Sequence, residues 1–157
     1  MIFNASRGGD YTLWKVPLQG GVPEQLTDYG ASFPSVSPDG KWIAFYGYTQ
    51  PHLNKIGVIP VTGGQPTQSF DYTTPWSVGY PIIHWARDGR SLAYTRDQQG
   101  ASNIWAQPLD GGPPKQLTDF RSDEIFNFAW SNDGQRLVLA RGSQTNDVVL
   151  IRDVQKE

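Results

Sequence analysis

The sequence predicts an all-β protein assembled from repeated four-stranded sheets, and three recurring segments carry that prediction. The first is a turn-rich stretch found three times: PLQGGVPEQLTDY at 17–29, PVTGGQPTQSFDY at 60–72 and PLDGGPPKQLTDF at 108–120. The second reads SPDGKWIAF from Ser37, ARDGRSLAY from Ala86 and SNDGQRLVL from Ser131. The third precedes each double glycine as YTLWKV, NKIGVI and SNIWAQ, and comes once more as NDVVLI at Asn146–Ile151. The period is roughly 43 to 49 residues, close to that of four-stranded propeller blades. The predicted fold is therefore a β-propeller of about three and a half blades, with blade-like units at 1–28, 32–71, 80–119 and 125–154 of one domain, 1–157.

Met1–Ser6 and Tyr11–Val16 read as strands around a polar loop. Gly20 and Gly21 then turn the chain, because glycine takes positive φ without a Cβ clash. Glu24–Thr27 returns as a third strand. Pro23, Pro66 and Pro114 each open such a returning strand, which belongs at the outer edge of its blade because proline cannot donate to a ladder. Pro17, Pro60 and Pro108 must stand where the preceding strand ends or bulges.

Phe33–Ser37 is expected as the inner strand of the next blade, and Ser37-Pro38-Asp39-Gly40 as a tight turn. Proline presets φ, aspartate bonds back to its own backbone, and glycine takes the left-handed position. Trp42–Gly47, Lys55–Val61 and Thr67–Phe70 complete this blade around a polar loop, Tyr48–Asn54. Asp71–Tyr80 is the longest connection, and the cycle restarts from Pro81 and from Ile125. The first blade lacks its inner strand and the last its outer one. Helical periodicity is nowhere sustained.

Composition narrows the function. The chain has 17 glycines and 12 prolines among 157 residues, which with a period means many turns rather than disorder. A net charge of −2 argues against a nucleic-acid footprint. Apolar runs are too short to span a bilayer, and MIFNASRGG has no basic start or extended apolar stretch, so no leader peptide is expected. The absence of cysteine removes disulfides and thiolate chemistry. His52 and His84 are too far apart in sequence to suggest a metal pair, and no calcium-loop signature occurs. Neither a serine-nucleophile elbow nor a phosphate-binding glycine loop is present. No acid, base and nucleophile can be given roles. The expectation is a protein that is not an enzyme and uses no cofactor or metal.

Ser37-Pro38-Asp39-Gly40, Ala86-Arg87-Asp88-Gly89 after Trp85, and Ser131-Asn132-Asp133-Gly134 after Trp130, with their following strands and PxQLT segments, resemble the WD40-like (PD40) repeat of TolB-type β-propellers. Val36 stands where tryptophan recurs. That family includes the translocation protein TolB, gating propellers of prolyl-oligopeptidase-like hydrolases, and propellers fused to bacterial serine/threonine kinases. The ending DVVLIRD looks like the C-terminal end of the kinase-linked kind. The resemblance implies a binding or sensory scaffold with a protein or peptide partner. It leans toward an extracytoplasmic or periplasmic setting. It leaves open an accessory propeller of a peptidase and a glycan-binding propeller. Because propellers close with four to eight blades, the chain is expected to continue in a larger ring or to self-associate through its end blades.

Asp39, Asp88 and Asp133 are assigned to the turns, and Asp28, Asp71 and Asp119 to the repeat's own frame. A site occurs once, so the non-repeated residues of the loops are the binding candidates: His52, Trp76, Tyr80, Arg96, Gln98, Arg121 and Asp123. In propellers these loops surround one mouth of the channel. Aromatic and arginine side chains dominate such interfaces. His84, in an inner strand, is expected to be a hydrogen-bonded core residue.

Overall fold

The computed structural model describes residues 1–6, 8–72, 81–143 and 145. The fourth NDVVLI segment, the DVVLIRD ending, Trp76 and Tyr80 lie outside them. Strands β1 (Ile2–Ser6), β2 (Tyr11–Lys15) and β3 (Glu24–Gln25) make the first sheet. Strands β4 (Ala31–Val36), β5 (Trp42–Gly47), β6 (Lys55–Pro60) and β7 (Gln68–Asp71) make the second. The third comprises β8 (Ile83–Trp85), β9 (Ser91–Gln98), β10 (Ala101–Pro108) and β11 (Lys115–Gln116). The fourth has β12 (Glu124–Trp130) and β13 (Leu137–Gly142). Every pair is antiparallel between consecutive strands, and the described residues include no helix. The chain is all-β, and its sheets follow one another as propeller blades do.

The core is divided among the junctions between sheets. Leu13 and Leu26 of the first sheet meet Ala31, Ile43, Phe45 and Ile59 of the second. Ala44, Tyr46, Ile56 and Val58 face Ile83, Trp85, Leu92 and Tyr94 of the third. Ala93 and Ile104 face Ile125 and Phe128 of the fourth. Strand β5 shows how: Ile43 and Phe45 point one way, Ala44 and Tyr46 the other, and all four are buried. A strand buried on both faces reads as a continuous apolar run rather than an alternation. Across from Phe45 stands Gly57, where a Cβ would come within 2.3 Å of the ring, so glycine makes room for it.

The three aspartate–glycine corners are equivalent. Gly40, Gly89 and Gly134 have φ of 73°, 66° and 69°. Their N–H groups donate to the carbonyls of Ser37, Ala86 and Ser131 at 2.9, 2.9 and 2.7 Å. Asp39, Asp88 and Asp133 accept from the backbone N–H of Lys41, Arg90 and Gln135 at 3.1, 2.9 and 2.9 Å. Successive corners also touch. A Cβ on Gly89 would sit 3.9 Å from Pro38 Cδ, and one on Gly134 2.8 Å from Arg87 Cδ.

Pro60 and Pro108 end β6 and β10. Val61 N–H donates to Lys41 C=O and Leu109 N–H to Arg90 C=O, so each proline falls on a non-hydrogen-bonded pair. Its missing N–H faces the outer side, beyond the end of the short outer strand. Two expectations need correction. The outer strands β3 and β11 stop after two residues, because the hydroxyls of Thr27 and Thr118 take over as acceptors for Leu13 N–H (3.0 Å) and Ile104 N–H (2.9 Å). The inner strand β4 starts at Ala31 but shifts register between Ser32 and Ser35. Pro34 has no N–H to give there, and Phe33 takes φ 54°.

Candidate partner-binding site

The repeated residues are spent on the frame. Gln25 and Gln116 donate through Nε2 to the carbonyls of Thr27 and Thr118 at 2.7 and 2.6 Å, while Gln68 reaches across to Leu109 C=O at 3.1 Å. The ring after each aspartate crosses into the next sheet. Tyr29 lies 5.8 Å from Phe45 and donates its hydroxyl to Gly64 C=O. Tyr72 lies 5.7 Å from Tyr46 and 5.4 Å from Tyr94, edge-on to both. Phe120 carries the Arg141 guanidinium 4.0 Å above its ring. Burial, with the Asp28 charge, pushes the Tyr29 phenol far above its ordinary range.

The non-repeated candidates are spread along the arc. His52 sits on the β5–β6 loop, where the loop folds back: His52 N–H donates to Thr49 C=O, and Thr49 Oγ1 accepts from Gly30 N–H at 2.9 Å. The His52 ring rests 4.5 Å from that of Tyr29, and its Nε2 is buried without a hydrogen-bond partner. Gln98 is exposed at the β9–β10 hairpin, whose central residues Gln99 and Gly100 have φ of 53° and 83°. Positive φ at both positions is the signature of a tight hairpin turn. Asp123 C=O accepts from Ser102 N–H at 3.0 Å, which ties this hairpin to the β11–β12 connection. Arg121 on that connection is 86% exposed and paired at 2.8 Å with exposed Asp119, a contact that contributes little. Asp123 is held by Arg141 at 3.4 Å.

The structure thus places Gln98 at the hairpin end of β9 and Arg121 and Asp123 on the β11–β12 connection, at the junction of the third and fourth sheets. His52 belongs to the junction of the first and second. Arg96 is inside β9, opposite Asn103, rather than on a loop. Its guanidinium stands 5.2 Å above the Trp105 ring, at the edge of a cleft of about 490 Å³ between the second and third sheets. Trp105 repeats Trp14, and Arg141 stands at the same offset after its corner as Arg96, but the contacts each makes are set by cross-strand register and by the neighbouring sheet. His84 is half-buried, its ring 4.9 Å from Phe128. Burial lowers its pKa, opposed by a hydrogen bond with the Phe128 backbone. Among the described residues no three histidine, cysteine or acidic side chains gather as a metal site. Asp39 and Asp133 are held below the usual carboxylate range by the hydroxyls of Ser37 and Ser131 and by backbone N–H groups, a turn arrangement rather than an acid–base pair.

No family model matches the chain. A stretch of 111 residues is 33% identical to Tricorn protease homolog 1 of Streptomyces coelicolor, covering 67% of this chain and 10% of that protein. Dipeptidyl-peptidase 5 of Porphyromonas gingivalis is 28% identical over 120 residues, covering 71% of this chain and 16% of that protein. Among solved structures, TolB from Acinetobacter baumannii superposes with a TM-score of 0.69 at 23% identity, over 92% of this chain and 36% of that one. A chain of the nidogen/laminin complex gives 0.61 at 18% identity, over 83% of this chain and 49% of that one. The chain spans between 10% and 35% of the length of the curated relatives it matches. The structural likenesses establish the fold.

Proposed function

We propose that this chain, an arc of a TolB-like β-propeller, is a non-catalytic scaffold that holds a protein or peptide partner through its channel-side loops. The observation that carries the reading is a division of labour. The repeated aspartates, threonines, glutamines and rings are bonded into the frame. Gln98, at the exposed end of β9, and Arg121, on the β11–β12 connection, stand at the surface outside that repeated set. A rigid frame with variable loops is the usual arrangement for recognition, and arginine is favoured at binding hot spots. Phe126 and Val138, 46% and 65% exposed on the last described sheet, support continuation of the arc onto another blade, from a longer protein or a second copy.

Panning a displayed peptide library on the purified chain tests this. Binders are expected to weaken at least about tenfold with Arg121→Ala while the unfolding midpoint holds, as for a hot-spot residue. Binders indifferent to substitution at His52, Gln98, Arg121 and Asp123 alike refute the channel-side assignment. Hydrolysis of any peptide by the purified chain refutes the non-catalytic one. A second reading, the accessory propeller of a longer peptidase, is supported by the likeness to Tricorn protease homolog 1 and Dipeptidyl-peptidase 5. A hydrolase domain in the same open reading frame would decide for it.

A further inference from the structure

A cleft opens between the second and third sheets, beside β7 and β9. Its walls are Ser69–Tyr72 on one side and Tyr94, Arg96, Gln107 and Gly111–Pro114 on the other. Arg96 is its cation. The guanidinium is positioned over Trp105 by a cation–π contact, and no carboxylate among the described residues lies within ion-pair distance of it. The acid in the lining, Asp71, is already paired with Lys55 at 2.7 Å. The partly buried cation therefore faces the cleft with no ion-pair partner among the described residues. The walls around it are aromatic rings and the prolines Pro113 and Pro114, surfaces that suit aliphatic side chains.

The rim adds backbone. Strand β7 is the outer edge of its sheet. Tyr72 N–H donates to Asn54 C=O, so alternation along the register turns the N–H and C=O groups of Ser69 and Asp71 away from β6. An unpaired edge next to a side-chain pocket is the arrangement by which extended peptides are added to sheets. We propose that this cleft binds an extended peptide segment through a carboxylate, which the planar fork of Arg96 takes up. A single guanidinium beside the Asp71 carboxylate favours a monoanion over a phosphate dianion. The inference rests on the binding-scaffold reading and narrows it to a pocket whose lining includes none of His52, Gln98, Arg121 and Asp123.

The probes are capped pentapeptides with a central glutamate flanked by valines, the glutamine twin, and that twin with a free C-terminal carboxylate, titrated calorimetrically. The glutamate peptide is expected to bind at least about tenfold tighter than the capped glutamine twin, as a charge-assisted bond to a fork donor requires. If the uncapped twin recovers the affinity, the recognised group is the chain terminus; if not, it is the side chain. Arg96→Gln should abolish the preference, Arg96→Lys should keep part of it, and exposed Lys41→Gln should leave it intact. Equal binding of the glutamate and capped glutamine peptides to the wild-type chain overturns the inference, however the variants fold. So does an equal loss in Arg96→Gln and Lys41→Gln, which would mean diffuse charge attraction. Loss on Arg121→Ala with Arg96→Gln unaffected also overturns it, while leaving the channel-side reading standing.

Discussion

Substituting alanine for the first glycine of each double-glycine turn separates local strain from packing between sheets. Gly20, Gly63 and Gly111 occupy the same position of the repeated segment, with φ of 88°, 86° and 88°. Each Gly→Ala change forces a side chain into the left-handed region, costing about 1–2 kcal/mol. At Gly20 and Gly111 nothing lies within 4 Å of the added Cβ. At Gly63 that Cβ would stand 2.6 Å from Leu26 O and 2.9 Å from Leu26 Cα, backbone of the preceding sheet. The next residue, Gly64, donates its N–H to the same Leu26 carbonyl at 2.9 Å, so relieving the clash lengthens a hydrogen bond between sheets. Overpacking against an unyielding neighbour adds about 1–3 kcal/mol. Gly63→Ala should therefore lose about 1–3 kcal/mol more than either sister variant, a further drop in Tm of about 2–12 °C at this size. Urea unfolding followed by tryptophan fluorescence gives the three values under one protocol. Equal losses at Gly20, Gly63 and Gly111 would refute the claim that this turn is wedged against the first sheet.

Thr27→Val keeps the shape but leaves the buried Leu13 N–H without its acceptor, so a loss of about 1–3 kcal/mol is expected in the same unfolding assay; a neutral result would mean that water reaches that group. The Asp39 and Asp133 carboxyls have folded pKa values below their ordinary range. A depressed carboxylate stabilises the fold above its unfolded pKa, near 3.9, and that stability is lost as pH falls through the folded value. The Asp39→Asn, Asp133→Asn double variant should show a shallower loss of stability between about pH 5 and pH 2 than the parent. An unchanged slope in urea midpoints across that range would remove these corners from the acid response.

The corners and double-glycine turns were legible because their causes are local: an aspartate two residues before an N–H, a glycine where φ must be positive. Their repetition then gave strand order. What escaped depends on contacts distant in sequence. Tyr29, Tyr72 and Phe120 recur visibly, but only the fold shows each one lodged in the following sheet. The hydroxyls that shorten β3 and β11 act on strands 14 residues away. The site was legible to the same extent. Arg121 and Asp123 stand on a connection between strands, since loop position follows from strand order, whereas Gln98 ends strand β9. Arg96 falls within a strand because β9 runs on to Gln98, and its partner Trp105 could be found only from the hairpin register. Trp76 and Tyr80 lie outside the described residues.

The rings that close each sheet give the arc a direction. Tyr72 is a stopper carried at the trailing end of one sheet, and the hollow beside Tyr94 that receives it belongs to the leading strands of the next. A joint made of unlike halves can be copied only in series, each new sheet joining tail to head. A twofold pairing that set two leading sheets face to face would bring hollow against hollow. Any lengthening of this arc by duplication therefore preserves one sense of rotation, and a subunit added from outside must arrive in that same orientation.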